Sequence, residues 1–190
     1  ERGTFADGVI HVGIQLASAL RYAHEHGVLH RDLKPSNVLM TAQGRPMLLD
    51  FNLSFDEELN VVHRGGTLPY SAPEQLQEAA QESPAAKSSV DARADVFSLG
   101  AILYELLTGE LPYGSPPSDI GPRRAILMQL EAHTKPPTPI RHLNRQVDAK
   151  SAAIIERCLE VDPARRYTDM GELEDVLQRH FQSSRRLKRW

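Results

Sequence analysis

The sequence predicts a mainly α-helical fold, a helical bundle with one small β-hairpin at its edge. Apolar residues recur at spacings of three and four within residues 7–26, which is typical of the buried face of an amphipathic helix. A more strongly apolar helix covers Val96–Leu107 and is expected to end near Gly109, because glycine commonly terminates helices. Three further helices are predicted near residues 122–132, 148–160 and 169–182.

The hairpin is predicted from two short apolar runs, Asn37–Met40 and Pro46–Leu49, which flank a turn at Thr41–Arg45. Residues 50–74 contain two glycines and two prolines, and we expect a long loop there. A loop of that length in a compact domain is usually either functional or disordered. Residues 77–90 are rich in Gln, Glu, Ala and Ser and are expected to form a surface insertion.

Composition limits the classes of protein and partner. A formal net charge of −3 provides no global basic surface, so the composition indicates no nucleic-acid partner. No run of about 18 apolar residues is present, and no signal peptide is visible. The single cysteine, Cys158, excludes an internal disulfide and favours a reducing compartment, and no His/Cys spacing indicates zinc. Because the first residue is Glu1, we expect an excised or processed piece of a cytoplasmic protein.

The strongest local signal is segment 30–37, which reads HRDLKPSN. Transfer of a phosphoryl group to a hydroxyl needs a carboxylate to orient the hydroxyl, oxygens to hold magnesium, and cations to stabilise the moving charge. Asp32 offers the carboxylate, Lys34 the cation and Asn37 a neutral magnesium ligand. Asp50 offers a charged metal ligand, and the hairpin between Asn37 and Asp50 would bring the two together around one ion.

These segments resemble the catalytic loop and the metal-binding motif of the protein kinase family. Three further segments resemble the end of the activation segment, the start of the central helix and a late arginine motif, and they follow in family order: 66–74, 95–100 and 158–166. The resemblance covers residues 7–182. It implies a kinase-like C-terminal lobe, residues 1–182, followed by a basic tail, residues 183–190.

The resemblance further implies a signalling transferase that uses ATP and Mg²⁺. Lys34 favours Ser/Thr specificity. The residues at 65–70 and 72–76 resemble those of bacterial members of the family. Asp32 would accept the hydroxyl proton, and Thr67 would contact both Asp32 and Lys34. The implied partner is a protein substrate that carries a Ser or Thr.

Nucleotide binding is implied for three residues. Leu39 would form the floor of the adenine pocket, and the interpretation of an ordinary core leucine is compatible with that role. Asn37 and Asp50 would hold the magnesium ion. Phe51 and Asn52 complete the motif that would bind the metal. Asn52 stands where the family usually has glycine. We expect the asparagine to be tolerated, because it also accepts a left-handed conformation, but to let the segment change conformation less readily.

Structural and regulatory roles are implied for another set. His30 would pack and hydrogen-bond to hold the loop, and Asp95 would cap the catalytic-loop backbone, or else its own helix. Glu74 and Arg166 would form a partly buried ion pair, or would be two unrelated surface charges. Arg31 would receive a phosphorylated activation loop, but residues 56–65 contain no Ser or Thr, which weakens that expectation.

The sequence contains no Gly-rich loop, no strand lysine and no helix glutamate to pair with it. We therefore expect the N-terminal lobe to be missing, so that the chain holds half of an ATP site, is inactive alone and binds ATP and Mg²⁺ weakly or not at all. Leu39 and its neighbours would be bare and could support self-association or docking of another chain.

Two other functions stay open. A pseudokinase scaffold is disfavoured by the intact Asp32, Asn37 and Asp50 and faintly favoured by Asn52. A small-molecule phosphotransferase is disfavoured by Lys34 and by the Ala72-Pro73-Glu74 segment, which by the family resemblance builds a platform for docking a peptide. Four cations lie in the last six residues, and they indicate either a solvated terminus or a juxtamembrane segment of a membrane-anchored kinase.

Overall fold

The computed structural model describes residues 3–51, 68–81 and 90–187, with side chains as far as residue 184. In these ranges the chain forms helices and one two-stranded sheet, as the sequence predicts. The helices are α1 (Phe5–Glu25), α2 (Pro73–Ala80), α3 (Arg93–Thr108), α4 (Pro122–Ala132), α5 (Ile140–Leu143), α6 (Ala149–Cys158) and α7 (Met170–Leu187).

Helix α1 is amphipathic and starts at a well-formed cap. The Thr4 hydroxyl accepts a hydrogen bond from the Asp7 amide at 3.1 Å, and the Asp7 carboxylate accepts one from the Thr4 amide at 2.8 Å. These bonds satisfy backbone donors that the first helical turn leaves unpaired. The helix lays its apolar face against α3 and α7, and the chain then turns at Gly27, whose φ is +76°.

Helix α3 is the centre of the bundle. It is buried on nearly all sides, which explains why its apolar residues are not confined to one stripe. Gly109, with φ +76°, ends it in the left-handed conformation that glycine adopts without strain. The predictions of this helix and of its glycine stop are confirmed.

The β-hairpin is confirmed as well. Strand β1 (Val38–Met40) pairs antiparallel with β2 (Pro46–Leu48), and Val38 lies opposite Leu48. Gly44 takes φ +75° in the turn, and the Thr41 amide donates to the Arg45 carbonyl at 2.9 Å. The hairpin packs on α1 through β2, which fixes where its two ends leave the sheet.

Three elements differ from the prediction. Helix α2 begins at Pro73, so the predicted loop 50–74 and the predicted insertion 77–90 both overlap a helix. Proline reads as a loop signal, yet its fixed φ also suits the first helical position, and Gln, Glu and Ala are good helix formers. Helix α5 has four residues, too few for periodicity to show. Helix α7 continues to Leu187, five residues beyond its predicted end.

None of the helices in the described ranges combines the length and apolar character needed to cross a membrane. Cys158, the single cysteine, is buried, and burial raises the pKa of its thiol to about 12. The thiol is therefore protonated at neutral pH and behaves as a small core side chain rather than as a nucleophile.

Helices α3 and α6 approach most closely where Gly100 faces Cys158. A Cβ atom added at Gly100 would lie 2.5 Å from the Cys158 Cβ and 3.5 Å from the Cys158 carbonyl carbon. Both atoms belong to rigid parts of α6, so the contact could be relieved only by moving one helix away from the other.

We therefore expect Gly100→Ala to lower the free energy of unfolding by about 2 kcal/mol or more, through overpacking. Gly8→Ala is the matched control, because an added Cβ there meets nothing within 4 Å and alanine suits a helix interior better. It should raise stability slightly. Urea unfolding of both variants measures the difference, and equal midpoints would contradict the close approach of α3 and α6.

His133, at the end of α4, is a buried titratable group that the sequence did not single out. Only 3% of it is exposed, and neither ring nitrogen has a hydrogen-bond partner among the described residues. Its ring lies edge-on to Tyr113 at 4.3 Å and to Phe97 at 5.5 Å. Burial, reinforced by the positive charge of Arg166, lowers the pKa of His133 to about 4.

This pKa gives stability a dependence on pH. The unfolded chain binds a proton at His133 as pH falls below about 6.5, whereas the folded chain does not until about pH 4. Folding therefore loses stability as pH falls through this window, by about 2 kcal/mol between pH 7 and pH 5. Urea unfolding at both values should show this loss in the wild type and a correspondingly smaller one in His133→Leu. An identical loss in both proteins would refute it.

Candidate active site

The segment that carries Asp32 is a tight turn in an unusual backbone conformation. The Asp32 amide donates to the His30 carbonyl at 2.8 Å, and Arg31 between them has φ +60°. This combination is a γ-turn of the rare positive-φ type, which is strained for a residue other than glycine. Leu33, 1% exposed, anchors the far side of the turn in the core. The side chain of Asp32 therefore projects from a constrained point.

Asp95 holds this turn from α3. Its Oδ1 accepts a hydrogen bond from the Arg31 amide and its Oδ2 one from the His30 amide, both at 2.8 Å. Ala92 precedes the helix, and Asp95 lies in its first turn without making the side-chain cap that the alternative interpretation allowed. Asp95 is 1% exposed, so its carboxylate is compensated by these donors rather than by water.

His24 completes the arrangement, and the sequence analysis missed it. Its Nε2 donates to Asp95 Oδ2 at 2.8 Å across 71 residues of sequence. One signal was available, because His24 lies one turn after Leu20 on the face of α1 that turns inward. A polar side chain on an apolar face needs a partner, but the sequence could not say which residue that partner is.

Three of the predicted catalytic residues lie together. Lys34 Nζ is 2.7 Å from Asp32 Oδ2. The Asn37 side-chain amide donates to the Asp32 carbonyl at 2.8 Å and to Asp32 Oδ2 at 3.3 Å. The carboxylate of Asp32 is thus held by a cation and an amide that both come from the same loop. Because Nδ2 of Asn37 is used in this way, its amide oxygen is the atom left to coordinate a metal ion.

The hairpin brings Asp50 to the same edge as Asn37. The Leu49 amide donates to the Asn37 carbonyl at 2.9 Å, so Asp50 directly follows a residue bonded to Asn37. Asp50 is exposed and has φ +54°, a second left-handed residue other than glycine at this site. One carboxylate and one amide oxygen suit Mg²⁺, which usually keeps water and phosphate oxygens as its other ligands.

His30 secures the start of the predicted metal-binding motif. It is fully buried, its Nε2 donates to the Leu49 carbonyl at 3.1 Å, and its ring lies 4.7 Å from that of Phe51. A ring fixed on both sides is suited to holding the loop and not to proton transfer with a substrate. The left-handed Asp50 is therefore bracketed by two residues that His30 contacts.

Apolar side chains cover the outer surface of the hairpin. Leu39 is 51% exposed, which excludes the interpretation of an ordinary core leucine and leaves it available to a ligand or a second surface. Neighbouring side chains are similarly exposed, namely Met40, Met47 and Leu49. A contiguous apolar surface next to the polar Asn37 and Asp50 indicates a binding surface. Leu39 pairs with Met47 across the hairpin, and side chains alternate between the faces of a strand, so Leu39, Met47 and Leu49 share one face, which we call the hairpin surface.

Glu74 and Arg166 form a bidentate ion pair rather than two separate surface charges. Arg166 Nη1 donates to Glu74 Oε1 at 2.7 Å and Nη2 to Oε2 at 2.8 Å. The Arg166 side chain is completely buried and also donates to three backbone carbonyls, those of Glu160, Val161 and Arg93. Its guanidinium lies 5.0 Å above the Phe97 ring. The pair ties the start of α2 to the start of α3.

Residues 68–72, which directly precede α2, are held by α3. The Tyr70 hydroxyl donates to Glu105 Oε2, and the Ser98 hydroxyl donates to the Tyr70 carbonyl, both at 2.7 Å. Burial and the neighbouring Glu105 raise the pKa of Tyr70, so the phenol stays protonated. Neither Ser98 nor Glu105 was predicted, because their partners are distant in sequence. Thr67 and Asn52 lie outside the described residues.

The structure predicts a large cost for altering Asp95. In Asp95→Asn one oxygen remains to accept two backbone N–H groups and His24, and the new NH₂ faces a donor. A buried donor left without an acceptor costs about 1–3 kcal/mol, so we expect a loss of at least about 2 kcal/mol in urea unfolding. Asp175→Asn, exposed on α7 with no described partner, should change stability by less than about 0.5 kcal/mol. Equal effects would contradict the assigned role of Asp95.

Comparison with known proteins agrees with this geometry. Residues 5–182 match the protein kinase domain. The chain is 32% identical over 173 residues to a probable serine/threonine-protein kinase of Clostridium acetobutylicum, which covers 89% of this chain and 24% of the relative. It is 34% identical over 183 residues to Pkn1 of Myxococcus xanthus (91% and 24%) and 35% identical over 177 residues to PknJ of Mycobacterium tuberculosis (89% and 28%). The chain thus spans about a quarter of the length of these relatives. It belongs to the protein kinase family, in its eukaryotic-type serine/threonine branch.

Proposed function

We propose that this chain is the C-terminal lobe of a protein kinase that transfers the γ-phosphate of ATP to Ser or Thr hydroxyls of protein substrates. The observation that carries the proposal is the Asp32–Lys34–Asn37 cluster, in which a carboxylate is held at 2.7 Å from a cation and at 3.3 Å from an amide. The Ser/Thr kinases among its relatives and the placement of Asp50 beside Asn37 support it.

Asp32 would orient the substrate hydroxyl and receive its proton. Its position is set by the strained turn at Arg31, so little rearrangement is needed when the hydroxyl arrives. Lys34 lies where it can stabilise negative charge that moves from the nucleotide toward the hydroxyl oxygen. Asn37 and Asp50 would hold Mg²⁺, which neutralises phosphate charge when bound.

The peptide platform would be residues 68–72. Ser98 on α3 bonds its backbone at the Tyr70 carbonyl, Glu105 on α3 accepts from the Tyr70 hydroxyl, and α2, which follows it, is fixed by the Glu74–Arg166 pair. A rigid platform places the acceptor hydroxyl at a defined distance from Asp32. This anchoring supports a protein substrate in preference to a small molecule.

Completion of the nucleotide site would require a second surface over the hairpin surface. Leu39 is half exposed and Asp50 is exposed, so charges at this edge lie in contact with water. Electrostatic stabilisation is weak under that condition. We propose that an N-terminal lobe supplies this cover, and that the chain without it binds nucleotide feebly and associates through the hairpin surface.

Asp32→Asn tests the proposed reaction in the full-length protein. The change is nearly isosteric and keeps an oxygen toward Lys34, but an amide cannot accept the proton. We expect phosphate transfer to a Ser/Thr peptide to fall by about 10²–10⁴-fold, with nucleotide affinity nearly unchanged. Radiolabelled phosphate transfer and nucleotide titration measure the two effects.

Asp175→Asn serves as the control, since this exposed carboxylate lies on α7. It should transfer phosphate at the wild-type rate. Transfer by Asp32→Asn within threefold of the wild type would eliminate Asp32 as the proton acceptor. Absence of transfer by the wild type itself would favour the scaffold interpretation.

A further inference from the structure

Gln75, on the first turn of α2, is bonded to both neighbouring functional segments. Its Nε2 donates to the Arg31 carbonyl at 2.8 Å, and its Oε1 accepts from the Ala72 amide at 3.0 Å. One side chain thus joins the turn before Asp32 to the end of the peptide platform, across 44 residues of sequence. Gln75 is half-buried.

The bond to Arg31 matters because of the conformation of that residue. Arg31 is the centre of the positive-φ γ-turn, and Asp95 already accepts from its amide at 2.8 Å. Gln75 takes the opposite end of the same residue, its carbonyl. The peptide groups on both sides of the Arg31 Cα are therefore fixed, one by α3 and one by α2. Strained backbone persists only where its surroundings over-determine it.

The same side chain also fixes the end of the platform, because Gln75 accepts a hydrogen bond from the Ala72 amide. The Ala72 amide ends the segment that begins at Leu68, and α2 starts one residue later, at Pro73. Glu74, adjacent to Gln75, is locked to the buried Arg166. The first turn of α2 is consequently held in place, and the bond from Gln75 to the Arg31 carbonyl ties the loop that carries Asp32 to it.

We infer that Gln75 is a positioning residue that sets the distance between the substrate hydroxyl, carried by the platform, and the carboxylate of Asp32. This inference rests on the proposed function. It assigns to a neutral glutamine a role in kcat, although Gln75 would touch neither nucleotide nor acceptor hydroxyl. The amide is required because the two bonds need one donor and one acceptor on the same group.

Gln75→Glu separates the two bonds. The carboxylate still accepts from the Ala72 amide and preserves the start of α2, but it cannot donate to the Arg31 carbonyl and is repelled by it. Gln77→Glu is the matched control, because Gln77 is exposed on the same helix and receives the same change of charge.

In the full-length protein we expect Gln75→Glu to lower kcat for a Ser/Thr peptide by about tenfold to a hundredfold, since small displacements of reacting groups cost this much. The KM for ATP should stay within twofold, and Gln77→Glu should match the wild type in both constants. A kcat for Gln75→Glu within twofold of the wild type, or an equal loss in Gln77→Glu, would overturn the inference.

Hydrogen exchange followed by NMR on the 190-residue chain gives a readout that needs no activity. The amides of Arg31 and Asp32 should exchange at least about tenfold faster in Gln75→Glu, and at the wild-type rate in Gln77→Glu. Unchanged exchange at both amides would show that Gln75 does not hold the turn. If the wild type transfers no phosphate, the proposed function fails, while hydrogen exchange still decides whether Gln75 holds the turn at Arg31. If Asp32→Asn abolishes transfer and Gln75→Glu does not lower it, the function stands and the inference fails.

Discussion

The buried carboxylate of Asp95 is the constraint on which the site depends. A charged group that is 1% exposed is costly unless donors surround it, and three donors do so: two adjacent backbone amides and His24. Those donors come from the loop that carries Asp32 and from α1. Removing any one would leave a buried charge under-compensated, so α1, α3 and the loop depend on one another. The strained conformation at Arg31 is sustained by that requirement.

A second buried charge acts on the same part of α3. Arg166 is completely buried, donates to the Arg93 carbonyl and lies over Phe97, so it meets the helix within one turn of Asp95. Its partner Glu74 opens α2. Buried ion pairs contribute little net stability, because removing two charges from water costs about as much as their attraction returns. The Glu74–Arg166 pair instead fixes the position of α2 relative to α3. Asp95, on this turn of α3, thus holds the loop that carries Asp32, and Arg166, bonded to the same turn, holds the start of α2. Gln75 joins these two parts directly.

Local pattern explains what the sequence could predict. Some signals are local, meaning that they lie within a few residues of one another: the apolar spacing of α1, the glycine after α3 and the two apolar runs that flank Thr41–Arg45. The structure contains the elements that these signals predict. The partners of Asp95 and Gln75 are not local in sequence. His24 lies 71 residues from Asp95, and Arg31 lies 44 residues from Gln75. Such pairings depend on how helices cross, which periodicity does not encode. Glu74 and Arg166 can be paired in advance only through a family resemblance. The start of α2 is hidden in the sequence because proline at position 73 is typical both of a loop and of the first position of a helix.

The contrast between this rigid framework and the hairpin surface has a functional consequence under the proposed role. The groups that hold Asp32 are bonded to it within the described structure, whereas Leu39 and Met47 lie about half exposed beside Asn37 and Asp50. Covering that apolar surface would be favoured by the hydrophobic effect. It would also remove water from around Asp50 and Lys34, and so strengthen their electrostatic action on a phosphoryl group. Burial of the surface and activation of the charges would then be one event. A chain built in this way can be fully folded and still inactive, with its activity set by whatever lies on the hairpin surface.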